Sequence, residues 1–373
     1  MRPGNMFLLG CALCVLLIGG VALASLNFNN PIIPNLVITS ASTVPSNGDT
    51  NPYGVVFVPQ GFPSDGLLKP GEILVSNFNN SAGKQGTGTT IVQINPAAPL
   101  PVPVTFFQGA TTPGLTLVLG FLRQGYVVVG NVPSLDGSGI CQTGTVGQGA
   151  LQFLDKNANV VLTLTNAQLL NGPWGLAIKE NANSTQVFVA NVLSGTVTRL
   201  NLSIGRSHTS NPIKVISTTQ IASGYTHGCA GASFVAGPAG LAYDKKKDVL
   251  YVSSTQDNAI YAVKNAGSTV KDNGTGSIVI KDATHLHGPI GLLLAPNGDF
   301  ISAQGDVTNV NTNLPSEIVE FTPKGDFIAE VSIDPATGGA FGIALASTPK
   351  GFKFAAVDDN TNTLGIWNIN TGE

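Results

Sequence analysis

One recurring phrase limits what this chain can fold into. Pro52-Tyr53-Gly54-Val55, Pro173-Trp174-Gly175-Leu176, Pro238-Ala239-Gly240-Leu241 and Pro289-Ile290-Gly291-Leu292 share a Pro-x-Gly-aliphatic core, and Pro113-Gly114-Leu115 and Ala340-Phe341-Gly342-Ile343 are looser copies. The six glycines, at 54, 114, 175, 240, 291 and 342, stand 60, 61, 65, 51 and 51 residues apart. Self-similarity at a period near fifty residues marks repeat architectures. After each copy the residues predict an apolar strand, a turn and a second β-branched or aromatic strand: Ile73–Ser76, Tyr126–Gly130, Val187–Ala190, Val249–Ser253, Phe300–Ala303 and Phe352–Val357. A third strand follows, as in Thr196–Leu200 and Ala259–Val263, and often a fourth, as in Ile213–Ser217 and Phe327–Ile333.

Four strands repeated six times predict an all-β, six-bladed β-propeller built of four-stranded antiparallel blades. A lone blade leaves both faces of a small sheet wet, whereas six blades around an axis bury them. The repeated glycine fits innermost strands that converge on that axis, where a residue without Cβ permits close approach. The last unit stops at Trp367-Asn368-Ile369-Asn370 after three strands, so Leu36-Val37-Ile38-Thr39 is expected to supply the fourth and close the ring.

Composition narrows the class further. The chain of 373 residues is 43% hydrophobic yet only 10% charged, with 45 Gly and 23 Pro, which suits many turns and few exposed helical faces. A net charge of -3 provides no basic field for a phosphate backbone, so nucleic acid is not an expected partner. No G-x-S-x-G, H-E-x-x-H or P-loop string occurs.

Arg2 precedes an uncharged run, Met6 to Leu26, that contains Ala22-Leu23-Ala24. This reads as a signal peptide over residues 1–24, followed by a single propeller domain over 25–373. Secretion or export to the periplasm, with no membrane contact after cleavage, is the expectation; an uncleaved anchor is the alternative. Cys141 and Cys229 then remain in the mature chain, on two of the longest loops, and are expected to pair.

The copies Pro173-Trp174-Gly175-Leu176-Ala177 with Val187-Phe188-Val189-Ala190-Asn191, and Gly240-Leu241-Ala242-Tyr243-Asp244 with Val249-Leu250-Tyr251-Val252-Ser253, resemble the repeat unit of the NHL family of six-bladed propellers. The resemblance covers nearly all of residues 36 to 370 and implies the fold; it is to the secreted, mostly uncharacterised bacterial members, so it implies little about activity.

Aligning the second strands brings Asn77, Asn131, Asn191, Ser254, Gln304 and Asp359 to one place per blade, a ring of oxygen-bearing side chains at one mouth of the channel. Such oxygens suit calcium or another hard divalent metal, while the same residue types at strand ends also cap turns. The ring resembles the calcium site of propeller lactonases, but the glutamate of that site has no counterpart here. His227, His285 and His287 lie in connections ahead of the fourth and fifth blades, where imidazoles could bind zinc or copper or act as a general base. Asp358-Asp359-Asn360-Thr361-Asn362 spaces oxygens like an EF-hand but lacks its glycine and closing glutamate, so it reads as a turn. The first reading is therefore a monomeric binding module that takes a protein, polysaccharide or small-molecule ligand on its loop-rich face. The alternative is a metal-dependent hydrolase or lyase at the channel mouth.

Overall fold

The computed structural model describes residues 31–33, 39–109, 113–181, 184–205, 212–305 and 310–370. The signal-peptide reading of residues 1–24 lies outside them. Six four-stranded antiparallel sheets form the blades of a β-propeller. Their innermost strands are Thr50–Phe57, Leu115–Leu122, Pro173–Glu180, Pro238–Asp244, Gly291–Leu294 and Ala340–Thr348. In each blade the chain then runs outward strand by strand, which accounts for the pairing of sequence neighbours in every sheet. Among the described residues the only helix is the three-residue 3-10 turn Gly231–Ser233.

The ring closes with strands from both ends of the chain. The outermost strand of the sixth blade is Thr39–Ser42, paired antiparallel with Thr363–Asn370. The expected closing segment was Leu36 to Thr39; its first three residues lie outside the described residues, and the observed pairing begins at Thr39↔Ile366.

The core is divided among the contacts between blades. Ile73 and Val75 face the sixth blade's Ala355, Val357 and Ile366, while Leu74 and Ile91 face the second blade's Leu119, Val127 and Val129. Because both faces are covered, the second strand Ile73–Asn79 is buried along its whole length, and it opens with three consecutive apolar residues instead of alternating. The outermost strands are more exposed, as in Val160–Leu164. Five of the six outermost pairings carry an irregular register, at Ile91/Val92, Phe153/Leu154, Val197/Thr198, Ile260/Tyr261 and Glu320/Phe321. Bulges at such edges increase local twist and make them poor templates for edge-to-edge pairing.

The inner strands are irregular at the Pro-x-Gly phrase itself, with register shifts between Pro52/Val55, Pro173/Gly175 and Pro238/Leu241. An added Cβ shows why glycine stands there. On Gly175 it would lie 1.7 Å from the carbonyl oxygen of Ala239, on Gly342 2.2 Å from that of Tyr53, and on Gly291 2.6 Å from that of Phe341. Each is backbone of the next blade's inner strand, so nothing flexible can give way. The second blade departs from the expected pattern. There Leu115 pairs with Asn131 and Leu119 with Val129, which inserts an additional residue and leaves no glycine at this place. Gly114 instead precedes the strand at φ +79, packed against Val132 and Gly86.

Candidate functional site at the two ends of the central channel

At the Pro-x-Gly end the channel is filled. The residues preceding the glycines, Tyr53, Trp174, Ala239, Ile290 and Phe341, are all buried. Tyr53 stacks on Phe341 at 4.6 Å between centroids and meets Trp174 edge-on at 5.3 Å. Phe78 continues the cluster to Trp174 at 5.4 Å and to Phe234 at 5.9 Å. Aromatic pairs in these geometries add about 0.5–1.5 kcal/mol each beyond the area they bury.

Phe234 comes from a loop outside the blades, the two-residue pairing Gly228–Cys229 with Val235–Ala236. It is fully buried at φ 61, a conformation that a bulky residue adopts only when its surroundings hold it. A disulfide between Cys229 and Cys141, with Cα atoms 5.4 Å apart, ties this loop to the loop after the second blade's second strand.

The polar ring lies around this plug, and its side chains face the framework. Asn77 is fully buried and donates to the carbonyl of Thr43 and the hydroxyl of Thr90, both at 3.2 Å. Asn131 donates to Pro113 at 2.9 Å and accepts from the amide of Ala150. Asn191 donates to Leu169, Thr196 and Thr198, and Gln304 donates to His285 and accepts from the amide of His287. In these four blades the side chain bonds a carbonyl in the connection just ahead of its own inner strand, so one device fixes each connection. Ser254 instead bonds Asp257.

The sixth member of the ring is Asp358, not Asp359. Asp358 pairs with Ala340 as Asn77 pairs with Pro52, and Asp359 opens the turn that follows. That turn bonds itself, with Asp358 accepting from the amide of Asn360 and from the hydroxyl of Thr361. Of the ring amides only Asn77 and Asn191 keep a buried oxygen without a donor. Calcium takes six to eight oxygens, waters and carbonyls included, and the ring amides offer it two.

The histidines are not gathered. His227 is exposed, with Nδ1 2.9 Å from the carbonyl of Tyr225. His285 bonds Asp282 at 2.8 Å and stacks on Phe327 at 3.8 Å. His287 Nε2 lies 2.9 Å from the carbonyl of Thr284. Among the described residues no three His, Cys, Asp or Glu side chains stand close enough to hold one metal ion.

A hollow of about 160 Å³ beside the plug is lined by Asn51, Tyr53, Gly338, Asp359 and Asn360 among others. Burial, and then the neighbouring Asp358, push the Asp359 carboxyl up to about 7. A carboxyl that changes charge near neutrality can give or accept a proton.

The opposite end of the channel is open and apolar. The residues that follow the glycines, among them Val55, Leu176, Leu241, Leu292 and Ile343, line a funnel of about 960 Å³. They stand two positions after the plug residues, and Val55, Leu176, Leu241 and Ile343 lie at or just past the register shift in their inner strands. Among the described residues that line it, Lys353 is the sole charged side chain. Sequence reasoning missed both funnel and plug, although the signal was present: the x and the aliphatic residue of each phrase are i and i+2.

No family model matches the sequence, and no curated protein matches it either. Solved structures do. A gluconolactonase from Xanthomonas campestris is 12% identical, with 90% of this chain and 97% of that one covered and a TM-score of 0.51. A protein of unknown function from Bacteroides thetaiotaomicron is 9% identical over 88% and 76% of the two chains, with a TM-score of 0.50. A chain of a nidogen/laminin complex is 7% identical over 79% and 85%, with a TM-score of 0.47. At such identities the likeness shows the β-propeller fold alone.

Proposed function

We propose that this protein is an NHL-type binding module of the secreted or periplasmic space that engages a protein, polysaccharide or small-molecule ligand through its loop-rich face. The observation that carries the reading is the loop pair held by Cys141–Cys229. On that rigid support Leu135 and Ile140 are 63% and 54% exposed, and long loops on a fixed scaffold are where binding residues concentrate. The test is retention of immobilised protein on a polysaccharide panel and on cell-envelope fractions, with Leu135→Asp/Ile140→Asp as the control. The reading expects the double variant to melt as the parent does and to lose retention. Equal retention by both proteins would overturn it.

One observation favours a hydrolase as the second reading: Asp359 lines a hollow on the same face with its carboxyl raised to about 7. Turnover of lactones or simple esters, with or without added calcium, that disappears in Asp359→Asn would establish that reading. The absence of turnover across such a panel would remove it.

A further inference from the structure

We infer that the open funnel is a binding site for a long-chain aliphatic carboxylate, its tail directed along the channel axis and its head group at Lys353. The site is at the end of the channel opposite the loop face and does not depend on the function proposed for that face.

Three observations converge on this ligand class. First, the funnel's size, about 960 Å³, lies at the upper end of small-molecule sites, and its wall is aliphatic: Val55, Leu119, Leu176, Leu241, Leu292 and Leu345 come from all six blades. These six side chains offer no hydrogen bonds, and the polar side chains of the lining are limited to Gln60, Ser347, Thr348 and Lys353, so a ligand polar along its whole length would bury groups without partners. Second, the funnel has a floor. The aromatic cluster of Tyr53, Trp174 and Phe341 meets across the axis just behind Gly175 and Gly342, which line the funnel, so a ligand enters from one side only. From Gly54 to Val58 an inner strand advances roughly 13 Å, which suits an extended chain better than a compact ring. Third, Lys353 is half-buried in the wall, beside the turn that contains Thr348 and Pro349, and it has no carboxylate partner among the described residues. A cation beside an apolar cavity with no acidic side chain is complementary to an apolar ligand that carries one anionic end.

The experiment is titration of the purified full chain with saturated carboxylates of eight to sixteen carbons, kept below their aggregation limits, and with the matching alcohols, read by calorimetry. Affinity for carboxylates is expected to rise about fifteenfold for each two added methylenes until the tail outgrows the funnel. Lys353→Met should weaken the carboxylates about tenfold or more and leave the alcohols within twofold of the parent. A second measurement needs no variant. A dodecanoate brominated at its tail should quench Trp174, which is 1% exposed at the floor, more strongly than one brominated beside the carboxyl. The inference is overturned if no carboxylate binds at its solubility limit, if Lys353→Met leaves carboxylate affinity unchanged, or if the two brominated positions quench alike. It is equally overturned if phospholipid vesicles bind the protein and monomeric carboxylates do not.

Discussion

Glu320 allows the buried electrostatics to be tested through pH. It is fully buried on the fifth blade, where Oε2 accepts from the amides of Ile32 and Ile33 at 2.7 and 3.0 Å. Burial raises its carboxyl from 4.5 to about 7, the two amides oppose that shift, and the adjacent Asp299 adds to it by charge and by a shared proton. In the window between these values the folded protein holds a proton that the unfolded chain has released. Stability therefore falls as pH rises, since the unfolded state binds fewer protons. From pH 5 to pH 8.5 the loss works out at about 2–3 kcal/mol. For a core of this size that lowers the melting temperature by about 3–4 °C. Glu320→Gln retains an oxygen for Ile32 and Ile33, presents a donor toward Asp299 and cannot titrate. In melting curves across this range the variant should lose that part of the slope and melt above the parent at pH 8.5. A variant that follows the parent's profile, or melts below it at pH 8.5, would refute the assignment. Glu317, raised to about 8 by burial and by Glu330, acts in the same direction and leaves a residual slope in the variant.

Other expectations follow from the framework. Gly175→Ala places a Cβ 1.7 Å from the Ala239 oxygen, so urea unfolding should show a loss of at least about 3 kcal/mol or no folded protein. Asn191→Ala removes the donor shared by Leu169, Thr196 and Thr198 and should lower stability by about 2–3 kcal/mol in the same assay. Cys141 and Cys229 are 88 residues apart, so replacing both with serine should lower stability by about 4–5 kcal/mol by loop-closure entropy. Little change on that replacement would mean that Phe234 and its neighbours already hold the loop without the bond.

The blade count and strand order were legible because the Pro-x-Gly phrase is imposed by backbone crowding, which in most blades glycine relieves. Where a blade satisfies it otherwise, the signal misleads. The second blade bulges between Leu115 and Leu119, and the nearby Gly114 has left-handed φ for its own turn. At the sixth ring position two adjacent carboxylates, Asp358 and Asp359, offer the same chemistry, and only the strand register tells them apart. Ring residues also look alike in sequence whether their amides point to a ligand or to a carbonyl of the preceding connection. Lys353 was invisible for a different reason. Between Phe352 and Phe354 it reads as the solvent-facing residue of an alternating strand, and only the assembled ring puts it beside a cavity.

The two ends of the channel differ because the inner strands are not equally spaced along their length. At the glycines neighbouring backbones approach within the reach of a missing Cβ, and the space left on the axis is small enough for five side chains to fill. Holding six strands that close requires fixed connections, and the ring amides supply the fixing bonds, so at this end polar chemistry is committed to structure. Further along the strands the blades separate, aliphatic side chains no longer meet across the axis, and about 960 Å³ stays open. Any ligand site at the crowded end must therefore be built from loops added above the plug, as the disulfide-held pair is. A site within the barrel of inner strands is available only at the opposite end, where the wall is mainly aliphatic, with Gln60, Ser347, Thr348 and the cation Lys353 as its polar side chains.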